Sequence, residues 1–147
     1  MGSKEIKFIT IGLSLLIFGI SLSQNAIVID YIEIKEVSSL EYFFMGSTAF
    51  IGGGLLEQII WLANPLCFFA IKFLIKDDKR AVLLSLIASA LAISFYFWNE
   101  VLGAESGAMA KIVSFELGYY LWVLSILILT IGILINYKVR LKETLES

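Results

Sequence analysis

Four long apolar stretches constrain the fold of this chain more than any other feature of its sequence. They are separated by three charged or polar breaks and cover residues 8–23, 50–71, 81–98 and 117–135. An α-helix rises about 1.5 Å per residue, so stretches of this length match a hydrocarbon core about 30 Å thick. The sequence therefore predicts an all-α integral membrane protein whose single domain, residues 1–147, is an up-down bundle of four transmembrane helices.

The composition agrees with this class and argues against several others. The chain is 59% hydrophobic, whereas ordinary soluble domains are about 45–50% apolar. It has no histidine, the commonest general base and metal ligand, and its one cysteine, Cys67, lies in an apolar stretch. A net charge of −2 without a Lys/Arg cluster gives no basis for nucleic-acid binding. We expect no enzyme activity, no catalytic residue, no cofactor and no metal.

The basic residues predict the orientation. Nine of them lie before the first stretch, between the second and third, or after the fourth, and only Lys35 and Lys111 lie in the other two loops. Those two loops carry seven acidic residues. Because basic residues concentrate on the cytoplasmic side of membrane proteins, both termini and the turn Lys76–Arg80 are expected in the cytoplasm. The pattern is typical of a bacterial inner-membrane protein, or of a plasma-membrane protein.

The first stretch has a second interpretation. Lys4 and Lys7, the apolar core and the segment Ser21–Ser23 together resemble a cleavable signal peptide. The core is longer than the roughly 7–15 residues of such peptides, and serine stands where alanine is preferred. We expect the stretch to persist as a transmembrane helix, while cleavage would leave three spans with the same topology.

The loop after the first stretch predicts a small extracytoplasmic β-element. Residues Ala26–Val37 are rich in β-branched side chains, which favours a strand or a hairpin. A strand edge needs a partner, and Lys111–Phe115 is the other candidate. The alternative is that the first helix continues through Ile29. Ser38 and Glu41 have the spacing of a capping box and predict the start of a short helix.

The second stretch carries a candidate intramembrane polar site made of Glu57, Gln58, Asn64 and Pro65. The stretch predicts that Glu57 lies about 10 Å inside the membrane. An ionised acid near mid-membrane costs on the order of 2.5–3.5 kcal/mol, so Glu57 should face protein or water. In one interpretation it lines a polar pocket or a cation path. In the other it bonds hydroxyl groups of neighbouring helices and stabilises the bundle.

Helical periodicity and small residues predict how the helices pack. Pro65 cannot donate to the Trp61 carbonyl, which predicts a kink in the second helix. One helical face, expected to point into the bundle, holds Gly53, Glu57, Asn64 and Phe68. Small residues at heptad spacing along the fourth stretch favour close helix approach within one bundle, with a homo-oligomeric interface as the alternative; they are Gly118, Ser125 and Gly132.

The acidic first loop also points to a protein partner. It is about twenty residues long, whereas connections between bundle helices commonly take about 2–8. Its candidate partner-binding residues on the extracytoplasmic side are Asp30, Glu33 and Glu36. We therefore interpret the chain as a lipid-embedded protein that acts through protein partners or self-assembly, such as a membrane subunit, an accessory factor or an immunity-type protein. The alternative is an oligomeric channel or small carrier that uses Glu57.

The predicted topology can be tested by cysteine accessibility on a Cys67→Ser background. A cysteine at Ser106 should react with an impermeant thiol reagent from outside intact cells, because it lies in an acidic loop. A cysteine at Ser147 should react only after the cells are permeabilised. Labelling in the reverse order would contradict the orientation.

Overall fold

The computed structural model describes residues 2–103 and 107–145, so Glu105, Ser106 and Ser147 lie outside the described residues. The described residues are mostly helical and include a small sheet. The α-helices are α1 Ser3–Leu22, α2 Ser39–Thr48, α3 Leu55–Trp61, α4 Ala63–Ile75, α5 Arg80–Ser94 and α6 Leu117–Leu145. The strands are β1 Asn25–Asp30, β2 Ile34–Ser38, β3 Glu100–Leu102 and β4 Met109–Phe115. Short 3₁₀ helices cover Ala49–Gly52 and Phe95–Phe97.

Four helical segments of the described chain are long and apolar enough to cross a membrane. They are Ser3–Leu22, Leu55–Ile75, Arg80–Phe97 and Leu117–Leu145. Many of their large apolar side chains are exposed, among them Phe8 at 75% and Leu83 at 60%. Soluble monomers rarely expose large contiguous apolar patches, so this surface, like the helix lengths, suggests an integral membrane protein.

The four segments alternate in direction, and the sheet lies at one end of them. We call this the sheet end, because β1 follows α1 there, β3 follows the helical turn after α5, and β4 leads directly into α6. The opposite end holds the start of α1, the turn between α4 and α5, and the end of α6. α6 packs along both α1 and α5, and α4 packs along α5.

Small and hydroxylated side chains allow the helices to approach closely, as the heptad pattern predicts. At Gly132 a Cβ atom would collide with the Thr10 hydroxyl oxygen, so a larger residue cannot fit without moving α1 or α6. The Ser14 hydroxyl donates to the Ser125 carbonyl at 2.9 Å. Lipid tails offer no hydrogen-bond partner, so a hydrogen bond between two helices stabilises the bundle.

The sheet confirms the predicted hairpin and the predicted partner of that hairpin. Its order is β2-β1-β4-β3, and every pairing is antiparallel. β1 pairs with β4 in a register that sets Ile27 opposite Phe115 and Asp30 opposite Lys111. The alternative that helix one continues to Ile29 is wrong, because α1 ends at Leu22 and the β-branched residues after it pair in the sheet. Sequence analysis missed β3, since three residues are too few to show strand alternation.

The second span begins later and ends later than predicted. Gly53 adopts a left-handed backbone with φ of 90°, which ends the preceding 3₁₀ helix, and the spanning helix runs from Leu55 to Ile75 instead of 50–71. It is divided into α3 and α4 at Leu62. Pro65 has no N–H for the Trp61 carbonyl, and the Asn64 side-chain amide donates to that carbonyl at 3.0 Å instead. The assigned helix is thus interrupted three residues before Pro65, while the predicted change in helix direction stays a prediction.

The opposite end is held together by an ion-pair network that the sequence did not indicate. Lys7 lies in the second turn of α1, with a side chain only 10% exposed, and its Nζ is 2.7 Å from Asp77 Oδ1. Arg140 of α6 lies 3.3 Å from the same oxygen and donates to the Asp77 carbonyl at 2.8 Å. Asp77 therefore joins α1, the α4–α5 turn and α6.

We expect Asp77→Asn to destabilise the bundle by about 1–3 kcal/mol, because it leaves the largely buried Lys7 ammonium without its counter-charge. Asparagine tolerates the positive φ of 60° at this position, so the change isolates the charge from the backbone conformation. Thermal unfolding in detergent measures the effect, and Asp30→Asn on the sheet serves as the control. Equal melting temperatures for the two variants would contradict the role given to Asp77.

Candidate functional site

Glu57 lies at the sheet end and not two turns inside a span. It is the third residue of α3, and its carboxylate is partly buried. One oxygen, Oε1, accepts the backbone N–H of Leu102 in β3 at 2.8 Å. The predicted depth of about 10 Å assumed a span that starts at Phe50, whereas the helix begins at Leu55, two residues before Glu57. Glu57 bonds the edge of the sheet, and not the hydroxyl groups of neighbouring helices.

The other predicted residues of the polar site are engaged in packing. The amide nitrogen of Gln58, in the orientation that satisfies its surroundings, donates to the carbonyls of Gly46 and Ser47 at 2.9 and 3.3 Å. Asn64 is 6% exposed and accepts the indole N–H of Trp122 at 2.8 Å. Gln58 thus attaches α2 to α3, and Asn64 joins α4 to α6.

The predicted inward face is only partly correct. Asn64 points into the bundle, but Phe68 is 49% exposed and Gly53 lies in the turn before α3. Gly53 cannot share that face, because the helix begins only at Leu55.

A cavity of about 70 Å³ lies beside Glu57 at the sheet end, between the sheet and the adjoining ends of the helices. Its walls are largely apolar and aromatic. The lining side chains that matter for its chemistry are Ser39, Tyr42, Phe43, Glu57, Trp61 and Tyr119. Trp61 is fixed by its indole N–H, which donates to the Phe43 carbonyl at 2.8 Å.

Two hydroxyl groups in this cavity are buried without a hydrogen-bond partner. They are Ser39 Oγ and Tyr42 OH. A buried hydroxyl without a partner costs about 1–3 kcal/mol, so such groups usually face a water molecule or a ligand. Burial, together with the negative charge of nearby Glu57, raises the pKa of the Tyr42 phenol well above its ordinary value. Tyr42 is therefore a neutral hydroxyl at physiological pH.

An open groove of about 620 Å³ adjoins the cavity. It runs between α2, the 3₁₀ helix Ala49–Gly52, the start of α3 and the end of β3, with apolar walls that include Met45, Ile51 and Leu102. Tyr42, Gly46 and Glu57 line both the groove and the cavity. The two spaces therefore meet at the Glu57 carboxylate.

Between the cavity and the opposite end, hydroxyl groups bond between helices, as Ser89 does with Thr130 at 2.8 Å, and apolar side chains form separate clusters. Ala70, Leu74, Leu129 and Ile133 are 0–3% exposed and form one cluster between α4 and α6. Cys67 packs against this cluster as a free thiol, which fits its interpretation as a small apolar residue. The polar groups around Glu57 thus belong to the sheet end of the molecule.

The predicted partner-binding residues lie in the β1–β2 hairpin, and of the three only Glu36 belongs to an edge strand of the sheet. Asp30 ends β1, Glu33 lies in the turn that follows, and Glu36 lies in β2, where it accepts a hydrogen bond from the Asn25 side chain. All three are exposed. Beside them Ile32 and Ile34 are 87% and 71% exposed, so apolar and acidic side chains share this hairpin.

Comparison of the chain with protein-family models, with curated proteins and with solved structures finds no match. Among the described residues, no group of three or more His, Cys, Asp and Glu side chains could hold a metal ion. Interpretation of the site therefore rests on its own geometry.

The contact between Glu57 and β3 predicts different results for two substitutions. Glu57→Gln keeps an oxygen that can accept the Leu102 N–H, so amide hydrogen exchange at Leu102 should stay slow. Glu57→Ala removes the acceptor, and exchange at Leu102 should accelerate by about tenfold, because the hydrogen bond is worth about 1.5 kcal/mol. Hydrogen-exchange mass spectrometry in detergent measures both. Equal exchange in the two variants would show that Glu57 does not hold β3.

Proposed function

We propose that this chain is a small polytopic membrane protein that binds a protein partner through the outer edge of β2. In this proposal both termini lie in the cytoplasm and the sheet lies outside. The observation that carries the proposal is that β2 is an edge strand, paired with β1 on one side and with no described strand on the other. An exposed edge offers backbone hydrogen bonds to an added strand.

The chemistry of the edge indicates the kind of partner. Ile34, Lys35 and Glu36 are all exposed, so a strand added at this edge would contact both apolar and charged side chains. Within the described residues, the sheet end carries seven acidic residues and two lysines; the acids are Asp30, Glu33, Glu36, Glu41, Glu57, Glu100 and Glu116. This charge favours a basic partner segment and an association that weakens as salt increases.

The alternative of a channel or carrier that uses Glu57 has less support. Glu57 lies at the sheet end, Asn64 is engaged with Trp122, and the apolar cluster around Leu129 fills the bundle towards the opposite end. An ion path through a single chain would require this cluster to open. A conducting oligomer would give ion flux from liposomes that contain the purified protein, which distinguishes it from the partner-binding proposal.

Site-specific photocrosslinking in the native host tests the partner-binding proposal. A photoreactive amino acid at Ile34 on the edge should give one discrete adduct, and the same amino acid at Val113 of β4, 53% exposed, should not. The mass of the adduct separates a different protein from a second copy of this chain. An equal adduct at Val113 would indicate non-specific proximity and would contradict edge binding.

Charge reversal provides a second test of the same edge. Glu33→Lys with Glu36→Lys should reduce the Ile34 adduct, because these residues flank the bound strand and favour a basic partner. Glu100→Lys, on the opposite edge of the sheet, is the matched control and should leave the adduct unchanged. An adduct that survives the double reversal at every salt concentration would argue against electrostatic recognition.

A further inference from the structure

A second feature of the sheet end is independent of the β2 edge. The groove and the cavity meet at Glu57 and Tyr42, on the side of the sheet where β3 is the edge strand. The groove volume of about 620 Å³ falls in the range of about 300–1,000 Å³ that is usual for small-molecule sites. Such sites combine apolar walls with a few polar groups, and this groove has the same combination.

The acid at the junction has no counter-charge among the residues that the structure describes. The four ion pairs of the described chain join Lys7, Lys35, Arg80 and Arg140 to other acids. Glu57 Oε1 accepts the Leu102 N–H, and the described residues form no hydrogen bond to Oε2, which lies beside Gly54 at the start of the helix. A partly buried carboxylate in this position attracts a cation.

The two buried hydroxyl groups give independent evidence for a polar guest. Tyr42 OH and Ser39 Oγ both belong to the cavity lining and both have no partner. A hydroxyl oxygen accepts hydrogen bonds, so both groups are suited to an N–H donor or to a water molecule bound beside one. The Tyr42, Phe43 and Trp61 rings around them favour a positive charge through their π faces.

We propose that this site binds a small organic ammonium ion with an unbranched apolar chain. Its nitrogen would lie at the junction, between Glu57 Oε2 and the Tyr42 hydroxyl, and its chain would extend along the groove past Met45 and Leu102. The cavity of about 70 Å³ is smaller than the roughly 150 Å³ that holds a benzene molecule, so it takes water or a short N-alkyl group. The apolar body therefore belongs in the groove.

The positive charge distinguishes this ligand class from other molecules with a similar apolar chain. An alcohol of the same chain length makes the same apolar contacts but has no charge for Glu57. A carboxylate of the same length places a second negative charge against Glu57 and should be excluded. A lipid chain alone would fill the groove without any dependence on Glu57.

The binding test uses n-hexylammonium, with n-hexanol and hexanoate as matched probes. The protein is held in nanodiscs of zwitterionic phosphatidylcholine, and empty nanodiscs correct for partition into lipid. Isothermal titration measures binding, and fluorescence follows Trp61 at the cavity wall. We expect saturable binding of hexylammonium and at least about tenfold weaker binding of the other two probes, since only the ammonium pairs with Glu57.

Variants test whether hexylammonium binds where the groove meets the cavity. Glu57→Gln keeps the acceptor for Leu102 and should weaken hexylammonium binding by about tenfold or more. Tyr42→Phe removes one hydroxyl acceptor and should weaken binding by about threefold. Glu100→Gln, an exposed acid on the same strand as Leu102, should bind as the unmodified protein does. Slow exchange of the Leu102 amide shows that Glu57→Gln is folded.

Two results would overturn the proposal. The first is equally tight binding of hexanol and hexylammonium, which would mean that the groove takes apolar chains without regard to charge. The second is unchanged hexylammonium binding in folded Glu57→Gln, which would mean that the carboxylate is not part of the site. Neither result bears on partner binding, because the β2 edge lies on the other side of the sheet.

Discussion

The close antiparallel contact between the first and last thirds of the chain is the constraint on which the other features depend. It begins where Gly132 lies against Thr10 and continues to Gly118, where a Cβ atom would meet the Ser39 side chain and the Asn25 carbonyl. The same two segments then pair as β1 and β4. α1 and β1 lie along α6 and β4 for this whole length. As a result, β2 is left at the edge of the sheet, and α2 packs at the sheet end of the bundle.

This packing separates the polar residues of the bundle into two groups. Those deeper in the molecule are paired: Ser89 with Thr130 at 2.8 Å, and Asn64 with Trp122. Such pairs join helices in lipid and explain the polar residues of the spans without any ligand. Among the described residues, the buried hydroxyl groups without a hydrogen-bond partner belong to Ser39 and Tyr42, and both line the cavity that Glu57 also lines. Their convergence, and not the presence of an acid in an apolar stretch, makes this place the candidate site.

The order of the sheet sets two distinct surfaces at the same end of the molecule. β2 forms one edge, with exposed Ile34 and Glu36, and β3 forms the other, where the Leu102 N–H donates to Glu57. The two middle strands lie between them. A partner strand on β2 and an ammonium ion at Glu57 would therefore use different atoms, so each proposal can fail without the other.

The sequence by itself determined the four apolar helices, the hairpin in residues 26–37 with its partner at 111–115, and the helix start at Ser38, because hydropathy, β-branching and capping act over a few residues. It also indicated an irregularity near Pro65, and the structure divides the spanning helix at Leu62. Only the tertiary structure decided that Lys7 is buried against Asp77, that Glu57 holds β3, and that the Ser39 and Tyr42 hydroxyls face one cavity. These contacts join residues up to 70 positions apart, and they follow from how closely α1 and α6 pack, which no local pattern encodes.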